Sequence, residues 1–375
     1  MLAITCKNML LPDGTYAPAS VILLKEGKIL AAGPGVPIPD GCEILDASGC
    51  YVTPGLIESH GHLSMSDDNE MTGPLTPDMS ALDAVDPFAP EISQIRAAGF
   101  TTFCTLPGSA NLIGGTGTAV KLKDAVFPEE MAVSGCEPLK LALGENPKTM
   151  YGQKGIAPGS RMGNSALLRK AFRDAAAYLE RKEKGALDAE DHLQEILASA
   201  LTGKRLVKIH CHTAQDIAAA VRIGKEFHLH YTLEHVTAGR FLADYLAENQ
   251  VSCCVGPLLI QPLKMEIKEI SPLNPAALEQ AGVAFSLIQD SGWDTIYLPS
   301  LAGICTAHGL SAAAAMRGLT IQAAKNLDLD HRIGSIEAGK DADLAIFDGD
   351  PLRNTTRCIA TIIDGVIYHH TKEGR

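Results

Sequence analysis

The chain has 375 residues, with 44 acidic and 32 basic side chains and a formal net charge of −12. Hydrophobic residues at 46% and charged residues at 20% exclude intrinsic disorder, and the acidic balance argues against nucleic acid as the main partner, because phosphate binding needs clustered Lys and Arg. No apolar run approaches the ~20 residues that span a bilayer, and Met1 to Gly14 lacks a basic stretch followed by an apolar one, so neither a membrane partner nor a secretory signal is expected. In chain order, residues 1–54 read as short strands, such as 19–25 and 42–46, punctuated by Asp13-Gly14, Glu26-Gly27 and Asp40-Gly41. From Pro54-Gly55 onward short apolar runs alternate with helical stretches. Eight runs read as strands: 56–62, 101–106, 118–123, 138–143, 206–210, 230–233, 251–255 and 283–288. The spacing predicts helices over 165–201 with a break at Gly185, over 216–227, over 238–249, and near the end over 311–317 and 320–327. Residues 342–347 and 358–367 return to strand texture. Eight strand–helix units predict an α/β fold, a closed (β/α)8 TIM-type barrel rather than an open sheet, with β structure from both chain ends beside it. Ten cysteines form no C-x-x-C pair, which leaves a thiolate zinc site unsupported and fits reduced thiols in a cytoplasmic protein.

The histidines carry the chemistry. In the stretch from Val52 to Gly61-His62, His60 and His62 are two apart at the end of the first barrel strand, and residues two apart in a strand share a face. Imidazole is the commonest protein ligand for metals such as zinc. Lys208-Ile-His210-Cys-His212, Thr232-Leu-Glu-His235 and Ile288-Gln-Asp290 end three further strands. Barrel active sites lie at the C-terminal strand ends, so four strands deliver imidazole or carboxylate to one rim, as a metal site requires. His192, His331, His369 and His370 read as solvated, and His228 and His230 as lying at the opposite end of the barrel. The Gly114-Gly-Thr-Gly-Thr118 stretch lacks the G-K-[ST] ending of a phosphate loop and reads as a tight loop between strands.

These residues resemble the amidohydrolase superfamily. One match is P-G-L-I-[DE]-x-H-x-H at residues 54–62; another is Gly334-Ser-Ile-Glu-Ala-Gly-Lys-Asp-Ala-Asp-Leu344, similar to the family's return into a small β domain. The imidazolonepropionase- and prolidase-like members look closest. The resemblance covers the whole chain and implies a metal-dependent barrel over 55–335 with a small β-sandwich domain formed by both termini, 1–54 and 336–375. It implies one or two Zn2+ ions per chain. His60, His62 and Asp290 would hold the more buried ion; His210 and His235 would hold a second or help to hold a single one. The family also uses a bridging carboxylate, either a carboxylated Lys or a Glu, and Lys140 and Glu145 both stand as candidates. His212, Tyr151, Lys148 and Arg161 are the candidates for substrate contacts, the last three in a rim loop at 144–161. Deaminase-like members carry a Glu three residues after the strand-five histidine, where this chain has Thr213. That places hydrolysis of an amide, cyclic amide or dipeptide C–N bond first, by a metal-activated water with Asp290 as general base. A deaminase or imidazolonepropionase-type hydrolase of a nitrogen heterocycle is the alternative. The rival from another class is a scaffold that has lost its metal, although every candidate ligand is present. A small-molecule substrate is expected, and homo-oligomerisation is left open.

Overall fold

Three hydrogen-bonded sheets organise the chain in the computed structural model, which describes residues 1–65 and 67–371. One has seven strands, in the order Val366–His370, Cys358–Ile363, Leu344–Phe347, Glu43–Pro54, Leu2–Leu10, Tyr16–Lys25 and Lys28–Pro34. Both chain ends thus enter one sheet, joined where Leu344–Phe347 runs antiparallel to Glu43–Pro54 with Ile346 opposite Val52. Ile4, Ile22, Val52, Leu344 and Ile362 form its buried core.

The other two sheets carry the eight expected runs. Phe285–Leu287, Ser252–Val255, Tyr231–His235, Val207–Cys211 and Leu139–Ala142 lie side by side and parallel, with Ile113–Thr116 on the last edge. Leu56–Gly61 pairs parallel with Phe100–Thr105, which in turn pairs with Thr118–Lys121. Every residue of Leu56–Gly61 and Phe100–Thr105 is buried, as strands covered on both faces must be. The two free edges meet where Phe285–Leu287 contacts Leu56–Gly61, and Ser59 Oγ lies 2.8 Å from Ser286 Oγ. The result is a mixed α/β, TIM-barrel-like fold.

The third stave departs from the expected pattern. Ile113–Thr116 and Thr118–Lys121 are antiparallel to their neighbours, and only Gly117 separates them. Thr118–Lys121 pairs back onto Phe100–Thr105 with Thr102 opposite Lys121 and Thr105 opposite Thr118. The glycine-rich stretch read as a loop is therefore strand. Gly115 has φ +121°, and a Cβ there would meet Met79 O at 2.3 Å, which requires glycine.

Helices cover the outside. Arg161–Glu183 and His192–Leu201 replace the single broken helix expected, with Gly185 at φ +65° between them. Ala214–Glu226 starts on Thr213, whose side chain accepts from Asp216 N, and it buries Ile217, Ala220, Val221 and Gly224 at helical spacing. The helix expected over 238–249 splits into the 3-10 turn Gly239–Phe241 and the helix Ala243–Glu248, since Arg240 N donates to Asn274 Oδ1 at 2.7 Å. Among the described residues no helix is long and apolar enough to cross a membrane. The terminal sheet is tied to the barrel by buried Lys121, which bonds Asp341 at 2.8 Å and Asp343 at 3.2 Å and also reaches Asp364.

Candidate metal centre

The strand ends bring the predicted residues together. His60 lies in Leu56–Gly61, His210 in Val207–Cys211 and His235 in Tyr231–His235; His62, His212 and Asp290 follow their strands by a residue or more. His235 and Asp290 sit at φ 70° and 63°, left-handed positions that non-glycine residues rarely hold without a functional reason. Two groups result, His60–His62–Asp290 and His210–His212–His235, and within each the ligand atoms lie within 4.8 Å of one another. They abut: the His60 and His235 ring centroids are 4.9 Å apart, and His210 and His235 are 4.4 Å apart.

The hydrogen bonds fix which nitrogens are free. His60 Nδ1 donates to Glu234 Oε2 at 2.5 Å, and His62 Nδ1 donates to Leu106 O at 2.8 Å. Both Nε2 atoms are then lone pairs, and both face Asp290 Oδ1 at 3.4 Å. Two imidazole nitrogens and a carboxylate oxygen thus converge on one space. Buried Lys140 reaches this space, its Nζ 2.9 Å from His60 Nε2. In the second group His235 Nδ1 donates to Gly256 O at 2.9 Å and His212 Nδ1 pairs with Thr237 Oγ1 at 2.8 Å, so each keeps Nε2 free. Neither nitrogen of buried His210 has a partner, nor does Asp290 Oδ1 by hydrogen-bond geometry. Orphaned buried polar atoms are costly, about 1–3 kcal/mol each, and here they are the donor types that zinc takes. The residues fit a divalent metal ion.

The electrostatics agree. Burial pushes His210 and His212 well below the usual imidazole range and His235 down to about 3, so these imidazoles are neutral at pH 7. Burial lowers the Lys140 amine to about 8 against the pull of Asp290 and Glu234.

Other candidates lie elsewhere. Glu145 opens the helix Glu145–Gln153, where its backbone N donates to Glu266 Oε2 at 2.8 Å, and it joins neither group. Tyr151 is fully buried, its hydroxyl on Gly73 O and Asn111. Arg161 is spent on a bidentate pair with Asp216 at 2.8 and 2.9 Å. His212, expected as a substrate contact, lies within the His210–His212–His235 group. Thr213 caps a helix and donates to Asp216 at 2.7 Å. His230 pairs with exposed Asp328 at 2.8 Å.

Sequence reasoning missed three buried residues. Glu58 accepts from Gln289 N at 2.9 Å, Thr295 Oγ1 at 3.1 Å and His60 N at 3.3 Å, fixing the backbone beside Asp290; burial lifts its carboxyl to about 8. Lys208 and Glu234 pair at 3.2 Å. Lys208 stands two residues before His210 on the same strand face, and a charge facing inward there is the signal that an acid must face it.

The Amidohydrolase family matches residues 51–368. The crystal structure of an amidohydrolase from Thermotoga maritima MSB8 has a TM-score of 0.93 at 31% identity, covering 99% of this chain and 100% of that one. Imidazolonepropionase from Brucella abortus (strain S19) is 26% identical over 356 residues, 88% of this chain and 87% of that protein. Amidohydrolase tasK of Hapsidospora irregularis is 29% identical over 92% of this chain, which spans 39% of its length. A prolidase solved with N-methylphosphonate-L-proline shares the fold, with a TM-score of 0.65 at 18% identity, covering 99% of this chain and 100% of that one. Imidazoles and a carboxylate gathered at the strand ends of a TIM-barrel-like fold define a hydrolase of a metal-dependent class. The chain belongs to the amidohydrolase family, and as a member it is a hydrolase acting on carbon–nitrogen bonds. Enzymes of this family act on small-molecule substrates.

Proposed function

We propose that this hydrolase binds Zn2+ and cleaves the C–N bond of an amide, cyclic amide or dipeptide, with Asp290 as general base. The observation that carries the reading is Asp290 Oδ1 facing the unprotonated Nε2 atoms of His60 and His62 at 3.4 Å. His60, His62 and Asp290 are the first ligand group; His210 and His235 are the second, with His212 as their companion. A divalent ion bound there supplies a Lewis acid and lowers the pKa of water toward ~7. Asp290 accepts a proton from the attacking water and passes it to the leaving nitrogen. The bridging carboxylate is assigned to a carboxylated Lys140 rather than Glu145, supported by the place of its Nζ beside His60 and by an amine lowered to about 8, which is neutral often enough to react.

The finer fold belongs to the same reading: a closed eight-stranded barrel over 55–335 and a β-sandwich of 1–54 and 336–375. The Ser59–Ser286 contact supports closure, and the sheet drawn from both chain ends supports the second unit. Ten cysteines, none joined in a disulfide among the described residues, support a cytoplasmic location. The test is hydrolysis of a panel of N-acyl amino acids, dipeptides and lactams, with and without chelator. Metal-dependent turnover of one class is expected; chelator-insensitive turnover, or none in any metal-loaded sample, retires the proposal. Similarity to an imidazolonepropionase favours a second reading, a hydrolase of nitrogen heterocycles. Thr213 is committed to capping a helix, so that chemistry needs another proton shuttle. Ring opening or ammonia release from a heterocycle panel decides between the two.

A further inference from the structure

We propose that Glu234, anchored by Lys208 and Thr232, is a positioning residue that locks the tautomer and orientation of His60. It rests on the reading that His60 is a metal ligand, and it adds a three-strand relay to it. His60, Glu234 and Lys208 are each completely buried. Glu234 Oε2 takes the His60 Nδ1 proton at 2.5 Å, while Oε1 accepts from Lys208 Nζ at 3.2 Å and from the Thr232 hydroxyl. Lys208 Nζ also meets Thr232 Oγ1 at 3.2 Å and Cys254 Sγ at 3.5 Å. The register dictates these contacts, since Lys208 lies opposite Thr232, and Glu234 lies between His210 and Cys254.

A buried ion pair is expensive to desolvate and is often no better for stability than apolar packing. Its position explains it better than stability does. The carboxylate holds the proton on Nδ1, and the other nitrogen is thereby left as a lone pair toward Asp290. A carboxylate behind a ligating imidazole also strengthens it as a donor, and losing such a partner typically costs 10–100-fold in metal affinity. The second histidine group makes no contact with Glu234 through its free nitrogens; its outer partners are Gly256 O and Thr237.

The experiment is a Zn2+ and Co2+ competition titration of wild type and Glu234→Gln against a chromophoric chelator. Gln keeps an acceptor for His60 and removes the charge. We expect the affinity of the first group to fall 10–100-fold, with the second group unchanged within about threefold and the apo fold intact by circular dichroism. Identical titrations in a folded variant, or equal losses at both groups, overturn the relay. If Glu234→Gln does not fold, 15N-histidine spectra of the zinc-loaded wild type decide it. A proton on His60 Nδ1 with the metal-shifted signal on Nε2 supports the inference, and the reverse assignment sinks it. A wild type that binds no ion instead sinks the parent reading.

Discussion

Asp290 combines two properties that seldom meet in one carboxylate. It faces the imidazole lone pairs, and its backbone sits in a left-handed conformation. On the proposed mechanism, a base so placed acts in the step that moves the proton rather than in the binding of substrate. Asp290→Asn should therefore lower kcat by about 10²–10⁴-fold with a smaller change in KM. Steady-state kinetics on the substrate found in the panel, with metal content measured beside it, checks this. A kcat within threefold of wild type at equal metal content would remove Asp290 from the chemistry. The clustering of these imidazoles with Asp290 was legible in the sequence because a strand end and a two-residue spacing are local features. The partners of Tyr151 and Arg161 were not, because Asn111 and Asp216 lie 40 and 55 positions away and only the tertiary fold brings them in. Glu234 was hidden for another reason: a charged residue inside a strand reads as solvent-facing until the barrel encloses both faces.

At the scale of elements, the apolar runs announced eight staves, and all eight formed strands. Direction was less legible. A run of Val or Thr has no orientation of its own, and the glycines of the third stave masked where that strand begins. Those glycines now have a physical role. Gly115 holds a positive φ with Met79 O where its Cβ would stand, and Gly117 would press a Cβ onto Leu106 at 2.3 Å. Gly115→Ala should destabilise the protein by about 1–3 kcal/mol, from backbone strain and the forced shift of the segment around Met79. Urea denaturation monitored by fluorescence measures it. An unchanged midpoint would mean that the stave yields freely and that glycine is not required there.

For the whole molecule, the joint between the terminal sheet and the barrel depends on one buried ammonium facing three carboxylates. Burial alone would raise Asp341, but Lys121 and Lys28 lower it to about 2, below its ordinary 3.8; burial of Asp343 wins over Lys121 and raises it to about 6. The signs are opposite. Asp341 contributes stability that is present above about 3.8 and lost as pH falls through 2, whereas Asp343 contributes below 3.8 and loses it as pH rises through 6. Lys121→Met strips the cation from both, so its deficit should be ~3–5 kcal/mol at neutral pH and shrink on acidification from pH 7 to 4, as Asp343 protonates. Denaturation curves at the two pH values test this, and a deficit that grows on acidification would reverse the assignment. The two proposed ligand groups bear on the same global stability. Orphaned His210 and Asp290 atoms cost free energy that the proposed cation would offset. An ion binding only the folded chain adds ~2.7 kcal/mol at 100 Kd. Over 375 residues, with an unfolding entropy of ~2.1 cal/mol/K per residue, that lifts Tm by ~3 °C. The rise should grow with the logarithm of zinc concentration and vanish with excess chelator. Calorimetry of zinc-loaded and stripped protein measures it; coincident melts would show that these imidazoles and this carboxylate meet for something other than a metal.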